Sequence, residues 1–494
     1  MPGQSASFRS RLSRLLHARQ RSLAGASNIC CMLSKPWLCV SSCAALLCFK
    51  ASSAELPPPE YQKLTHDVYK QLIEINTSFS TGATTPAAKA IAERMKAEGF
   101  PESDIHVLGA APHKMNVVVR YRGTGKHKPL LLLAHLDVVE AKRSDWSMDP
   151  FVLNEKDGYY YGRGTIDDKA QAAIWIANLI RYKREGWKPD RDIIVALTAD
   201  EEGGGPYNGA AWLVKNRRDL IDAEYCLNEG GWGYMVNGKK VSNNIQVSEK
   251  YVLSYRFEVK NKGGHSSLPV PDNAIYRLSE ALVRLSKFKF PAQTNEVTRA
   301  FLEEMSKTQP EPISGLMKAA AKDSEDAIAK LSENSIELNA TLHTTCVATM
   351  LDGGHAVNAL PQTAGATINC RVLPDMKAEE VLATLKHVVA DDQVSVTPIR
   401  EAEAGPSSPM RPDLFRAASR ITDTLWPGVI TVPTMVMGAT DGLYLRSAGI
   451  PTYGVQGIFI DDFRAHGRDE RVSIQSFYEG STFLYELVKS LGSE

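Results

Sequence analysis

The apolar positions of this chain follow two periods in turn. Leu64, Val68, Leu72 and Ile75 recur at helical spacing and predict a helix over 61–75, and a second helix begins at Thr85-Pro86, with proline in its first turn, and stops near Gly99. Met115 to Tyr121 then reads as a strand, and the leucine run from Leu130 to Ala134 as a buried one. Lys169 to Lys183 carries Ala173, Ile176, Ala177 and Ile180 on one helical side, and Asp192 to Thr198 is a second buried strand. A helix over 209–216 and a strand over 223–227 follow. Strands alternating with helices predict an α/β unit with parallel strands. Three of those strands run straight into polar residues: His135 and Asp137, then Asp200 to Glu202, then Glu229.

Near Val247 the period changes. Tyr251 to Lys260 alternates as a half-exposed strand does, and a glycine turn with His265 leads to a helix over 272–288. A charged, helix-prone region over 295–334 precedes two alternating strands around Gly353-Gly354, a strand over 364–372, a helix over 377–389 and a strand over 394–399. This pattern predicts an α+β unit with antiparallel strands, inserted into the first and closing at the linker Gly405-Pro406-Ser407-Ser408-Pro409. The α/β character then resumes, with a helix over 414–425 and a strand over 452–455. The expected division is a leader over 1–54, a first domain built from 57–246 and 403–494, and an inserted domain over 247–402.

With 494 residues, 43% apolar and 23% charged, the chain can bury core enough for two or three domains. Its formal net charge of zero hides an asymmetry, because residues 1–54 carry seven Lys/Arg and no acid, leaving 50 basic against 57 acidic residues in the remainder. That balance gives no reason to expect a nucleic-acid partner. Lys35, the apolar stretch over 37–49, and Ser52 and Ala54 before Glu55 have the layout of a secretory signal peptide starting at Met32. A secreted or periplasmic protein is therefore expected, with a mitochondrial transit peptide as the alternative because the arginines at 9–21 precede it. The apolar stretch falls short of the ~20 residues that span a bilayer, so no stable membrane span is expected after processing. Five of the eight cysteines lie in the leader, and Cys226, Cys346 and Cys370 read as small buried hydrophobes without a disulfide framework.

The chemistry concentrates at His135, Asp137, Asp167, Glu201, Glu202 and Glu229, with His466 far downstream. Singly, each has an ordinary explanation, since a histidine at a strand end is commonly a surface group and acids after a strand often cap helices. Jointly they point to a metal centre, because positions beyond the carboxyl ends of parallel strands converge in space.

The strings LLLLAHLDVV, YYYGRGTIDDK, LTADEEGG, LNEGG, KGGHSSLP and HGRDERV, in that order, resemble the M20 metallopeptidase family of co-catalytic dizinc aminoacylases, dipeptidases and carboxypeptidases. The wording around Trp146, Pro150 and GRGTIDDK is most similar to the carboxypeptidase S type branch. The resemblance implies a zinc-peptidase-like, mainly parallel sheet flanked by helices, with the inserted α+β unit as lid or dimerisation domain. It also implies that His135 and Glu229 serve one zinc, Glu202 and His466 the other, and Asp167 bridges them. Asp137 matches an acid that hydrogen-bonds the ligating imidazole, Glu201 the general base, His265 the donor to the developing oxyanion, and Arg371 and Asn358 groups that hold substrate. Two Zn2+ per subunit are expected, with Mn2+ or Co2+ as substitutes, since histidine and carboxylate ligands without thiolate suit these metals. The implied reaction is hydrolysis of a peptide or N-acyl amide bond beside a free carboxylate. Carboxypeptidase or dipeptidase action leads, followed by N-acyl-amino-acid amidohydrolase action and then by a non-catalytic binding protein of the same fold. A homodimer through the inserted domain stays open, because a long lid can either pair with a second chain or supply its own His265.

Overall fold

Leu130 to Leu133 are at most 1% exposed, a degree of burial that a strand reaches when both faces of its sheet are covered. The computed structural model describes residues 56 to 493 apart from Thr81, Gly204 and Ala402, so the expected leader lies outside the described residues. Helices Pro59–Ile73 and Thr85–Ala97 lead into β1 (Ile105–Ala111), β2 (Lys114–Tyr121) and β3 (Leu130–His135). Two short strands, β4 (Asn154–Lys156) and β5 (Tyr159–Tyr161), precede helix Lys169–Arg184. Then come β6 (Ile193–Thr198), helix Gly209–Asn216, β7 (Tyr225–Asn228), β8 (Gly233–Val236) and β9 (Lys239–Glu249).

The chain next builds a second sheet from β10 (Tyr251–Lys260), β12 (Thr345–Gly353), β14 (Thr363–Val372) and β15 (Val394–Pro398), with the small pair β11 (Gly264–His265) and β13 (Ala359–Leu360) beside it in sequence. It returns through helix Pro412–Leu425, β16 (Ile430–Val436), helix Gly442–Ser447, β17 (Thr452–Gly454), β18 (Phe459–Ile460), β19 (Arg471–Ser473) and helix Ile474–Leu491.

The large sheet has ten strands in the order β1-β2-β6-β3-β7-β17-β9-β8-β18, with β16 also paired to β9. At its centre β3 runs parallel to both β6 and β7, and β7 parallel to β17. Alternation along β3 explains the double covering. Leu130, Leu132 and Ala134 join the core that contains Val68, Trp175 and Leu484, whereas Leu131 and Leu133 join the one that contains Leu213, Ile221 and Leu445. The second sheet, in the order β12-β14-β10-β15, is antiparallel and has its own core, where Tyr255, Phe257 and Ile368 meet Leu278, Leu285 and Leu385 of helices Ala274–Lys287 and Ala378–Val389.

The charged region over 295–334 contributes to helices Glu296–Ser306, Ile313–Ala320, Glu325–Asn334 and Ile336–Leu342, whose shared core of Leu302, Met317, Leu331 and Leu342 also takes in Val432 of β16, so this cluster packs on the large sheet. One expectation needs correcting: Cys346 and Cys370, read as unpaired hydrophobes, form a disulfide. The register of β12 against β14 sets these two residues directly opposite each other, and Cys226 is the one free, buried cysteine among the described residues.

Candidate metal centre and active site

Three adjacent parallel strands deliver the site. β3 ends on His135, which pairs in register with Thr198 at the end of β6; Glu201 and Glu202 follow in the next turn, and Glu229 comes directly after β7. His135 is 2% exposed, and its Nδ1–H donates to the backbone carbonyl of Asp137 at 3.0 Å, which turns Nε2 inward. That nitrogen lies 2.9 Å from Asp167 Oδ1 and 3.7 Å from Glu229 Oε1.

Asp167 faces both ways. Its Oδ2 is 3.1 Å from His466 Nε2, which is in turn 2.9 Å from Glu202 Oε1. Two groups of ligand atoms result, His135 with Asp167 and Glu229, and Asp167 with Glu202 and His466, each drawn within 4.8 Å and sharing Asp167. Such a set of imidazole nitrogens and carboxylate oxygens fits a pair of divalent cations. The electrostatics agree. Burial pushes the Glu229 and Glu201 carboxyls well up, and neighbouring carboxylates add to it against the charge on His135. The carboxylates of Asp167 and Glu202 push the His466 imidazole up to about 10. Cations at these positions would compete with protons for the ligating nitrogens.

Asp137, expected to hold the ligating imidazole, has its Oδ1 3.8 Å from His135 Nδ1, and its carboxylate also accepts the backbone N–H groups of Glu201 at 3.1 Å and Glu202 at 3.0 Å. The physical reason is local: the turn after β6 leaves those amides without sheet partners, and a buried amide recruits an acceptor. Burial raises the Asp137 carboxyl to about 6, partly offset by His135 and by the two amides. Asp137 therefore positions the turn that carries Glu201 and Glu202. Behind Asp167, Asp168 is fully buried, and Lys169 donates to the carbonyls of Leu72 and Ile75 at 2.9 Å each, capping the end of helix Pro59–Ile73.

Glu201 lines a cavity of about 110 Å³ together with Asn208, Val252, Arg400, Asp441 and Tyr444. Asp441 is buried and accepts hydrogen bonds from Thr198 Oγ1 at 2.6 Å and Asn208 Nδ2 at 2.7 Å, tying the loop before helix Gly442–Ser447 to the base turn. Val252 pairs in register with Arg371, so the arginine shares the sheet face that looks on this cavity. Burial lowers the Arg371 pKa, and Arg371 adds to the burial that brings Lys250 down to about 8. His265 is exposed on β11, and its Nδ1 accepts the backbone N–H of Ser267 at 3.2 Å, leaving Nε2–H free to donate. Asn358 sits in the adjoining turn, where its carbonyl accepts the Ser266 N–H at 3.0 Å. The hydrogen bonds of His265 and Asn358 stay within these turns and do not reach the acidic cluster.

Two groups escaped the sequence reading although they lie inside the quoted strings. Arg163 and Glu470 are both buried and paired at 2.6 Å, one in the turn before Asp167 and the other four residues after His466. A buried Asp200–Lys114 pair at 2.9 Å likewise stands directly before Glu201. Only charged residues placed among glycines and ligands hinted at them.

A model of peptidase family M20/M25/M40 matches residues 131–490. Human N-fatty-acyl-amino acid synthase/hydrolase PM20D1 is 30% identical over 380 residues, which cover 74% of this chain and 75% of that protein. The probable carboxypeptidase S-like 2 of Dictyostelium discoideum is 27% identical over 395 residues, 76% of each chain. Among solved structures, the M20 family metallo-carboxypeptidase Sso-CP2 of Sulfolobus solfataricus has the same fold, with a TM-score of 0.63 at 17% identity over 86% of this chain and 98% of that one.

Proposed function

Because this chain belongs to peptidase family M20/M25/M40, and so is a hydrolase, we propose that it cleaves the amide bond joining an acyl or peptidyl group to an amino acid with a free carboxylate. The observation that carries the reading is Asp167, one carboxylate placed between the imidazoles of His135 and His466 with Glu201 at the rim. His135, Asp167 and Glu229 would hold one zinc ion and Asp167, Glu202 and His466 a second, with manganese or cobalt as substitutes. Two such ions polarise the scissile carbonyl and lower the pKa of the attacking water.

The chain's own residues do the rest. Glu201 takes the proton from the attacking water and returns it to the leaving amine. His265 donates its Nε2–H to the developing oxyanion, which the Ser267 N–H on Nδ1 favours by fixing the tautomer. Arg371 grips the substrate carboxylate, and Asn358 stands beside His265 to orient the acyl side. Since Arg371 lies on the second sheet and His265 and Asn358 at the small β11–β13 pair, this inserted unit acts as a lid that must close over the cluster.

Arg371→Ala is expected to raise KM about 10- to 100-fold for substrates with a free carboxylate and to leave their amidated analogues, already poor, almost unchanged, as loss of a hydrogen bond to a charged group implies. Steady-state kinetics on matched acid and amide pairs check this. The reading as a whole is tested with a panel of dipeptides and N-acyl amino acids, long-chain ones included. Release of the C-terminal amino acid supports it, and metal-loaded protein inert toward every member overturns it.

The Cys346–Cys370 disulfide suits an oxidising compartment and so favours secretion. Among the described residues no helix is long and apolar enough to cross a membrane. β12 is an edge of the second sheet and exposes Val347, Met350 and Leu351, which supports it as the surface of a homodimer formed through the inserted unit.

A further inference from the structure

Arg163 and Glu470 lace together the two segments that present Asp167 and His466. Glu470 is 0% exposed, and its carboxylate gathers four donors. One oxygen accepts Arg163 Nη1 at 2.6 Å and the Gly164 N–H at 3.1 Å; the other accepts the N–H groups of Ile166 at 2.7 Å and of Asp167 itself at 3.2 Å. The backbone carbonyl of Glu470 also takes the Gly162 N–H at 3.1 Å. From the other side, Arg163 Nη2 donates to the carbonyls of Gly467 at 3.0 Å and His466 at 3.3 Å, and the guanidinium stacks on Trp146 with 5.0 Å to the ring centroid. His466 has φ +63°, a left-handed conformation disfavoured for a residue with a side chain, which persists where surrounding contacts hold it.

The two ligand groups depend on this lacing unequally. His135 and Glu229 follow the central strands β3 and β7, whereas His466 lies on a loop and reaches Asp167 only across the segments that Arg163 and Glu470 join. We propose that Arg163 and Glu470 act as a positioning clamp that fixes the distance between Asp167 and His466 and thereby retains the ion of the Asp167, Glu202 and His466 group. The inference rests on the dinuclear reading of the site given above.

Glu470→Gln presents an amide group to backbone donors and leaves Arg163 buried without its counter-charge, so it can fail by misfolding. Arg163→Lys is the discriminating variant, because it keeps the positive charge beside Glu470 and loses the planar fork that reaches the His466 and Gly467 carbonyls. Chelated full-length chain is titrated with zinc chloride by calorimetry, and bound zinc is counted by mass spectrometry after dialysis. The wild type is expected to bind two equivalents, and Arg163→Lys to bind the first as the wild type does and the second about 10- to 100-fold more weakly. The circular dichroism spectrum of the variant should match the wild type, and excess zinc should restore its kcat. Two wild-type-tight equivalents in Arg163→Lys overturn the clamp and leave the dinuclear reading standing. A wild type that binds no zinc overturns both, and a variant whose lost turnover excess zinc does not restore overturns the clamp alone.

Discussion

Glu201→Gln is expected to lower kcat by about 10³-fold while both metal equivalents remain bound, since a positioned general base contributes roughly 10²- to 10⁴-fold. The substitution keeps the size of the side chain and removes its ability to accept a proton. Glu201 belongs to neither ligand group, and its backbone N–H is held by Asp137, so the turn keeps its shape. KM should change little, because Arg371, the group proposed to grip substrate, lies on the second sheet. Kinetics with metal analysis on the same preparation check the result: undiminished kcat removes Glu201 as the base, and loss of metal makes it a ligand.

Asp167→Ala should be more damaging still, because a single carboxylate serves both groups. Burial opposes its ionisation, but the imidazoles of His135 and His466 outweigh that and hold the Asp167 carboxyl below the ordinary carboxylate range. Removing it leaves two imidazoles at 2.9 and 3.1 Å from an empty space, and each group with two ligands in place of three. Neither ion is expected to survive dialysis, and turnover should fall to background. Two retained equivalents would show that Asp167 bridges nothing.

Much of the fold was legible because its central strands are apolar runs that stop at charged residues. β3 and β6 needed no more than that, and the side chains beyond their ends could be placed together once the strands were taken as parallel. β9 was hidden by its own composition. Ser242, Asn243, Gln246 and Ser248 are buried on it, and Asn243 bonds Thr422 while Gln246 bonds Glu249, so polarity there reports internal partners rather than solvent. β16 was obscured by Pro433, which reads as a strand breaker although the strand pairs only with β9. Strand order was out of reach, since β17 inserts between β7 and β9 from more than 200 residues away in the chain. The Cys346–Cys370 pairing follows from register, which spacing does not reveal. At the site, residue types and their order pointed to ligands and base, but whether Asp137 also meets a pair of amides depends on where a turn leaves its N–H groups unpaired. Arg163 and Glu470 were in plain view yet silent, because a clamp is recognised by what it joins.

The proposed two-metal centre around Asp167 is tested by release of the C-terminal amino acid from an N-acyl amino acid or dipeptide substrate by chelated protein as zinc is added back in counted equivalents. No turnover is expected without metal, and the rate should rise to a plateau at two equivalents per chain. Full activity in the chelated protein, or none at any loading on any member of the panel, would contradict it.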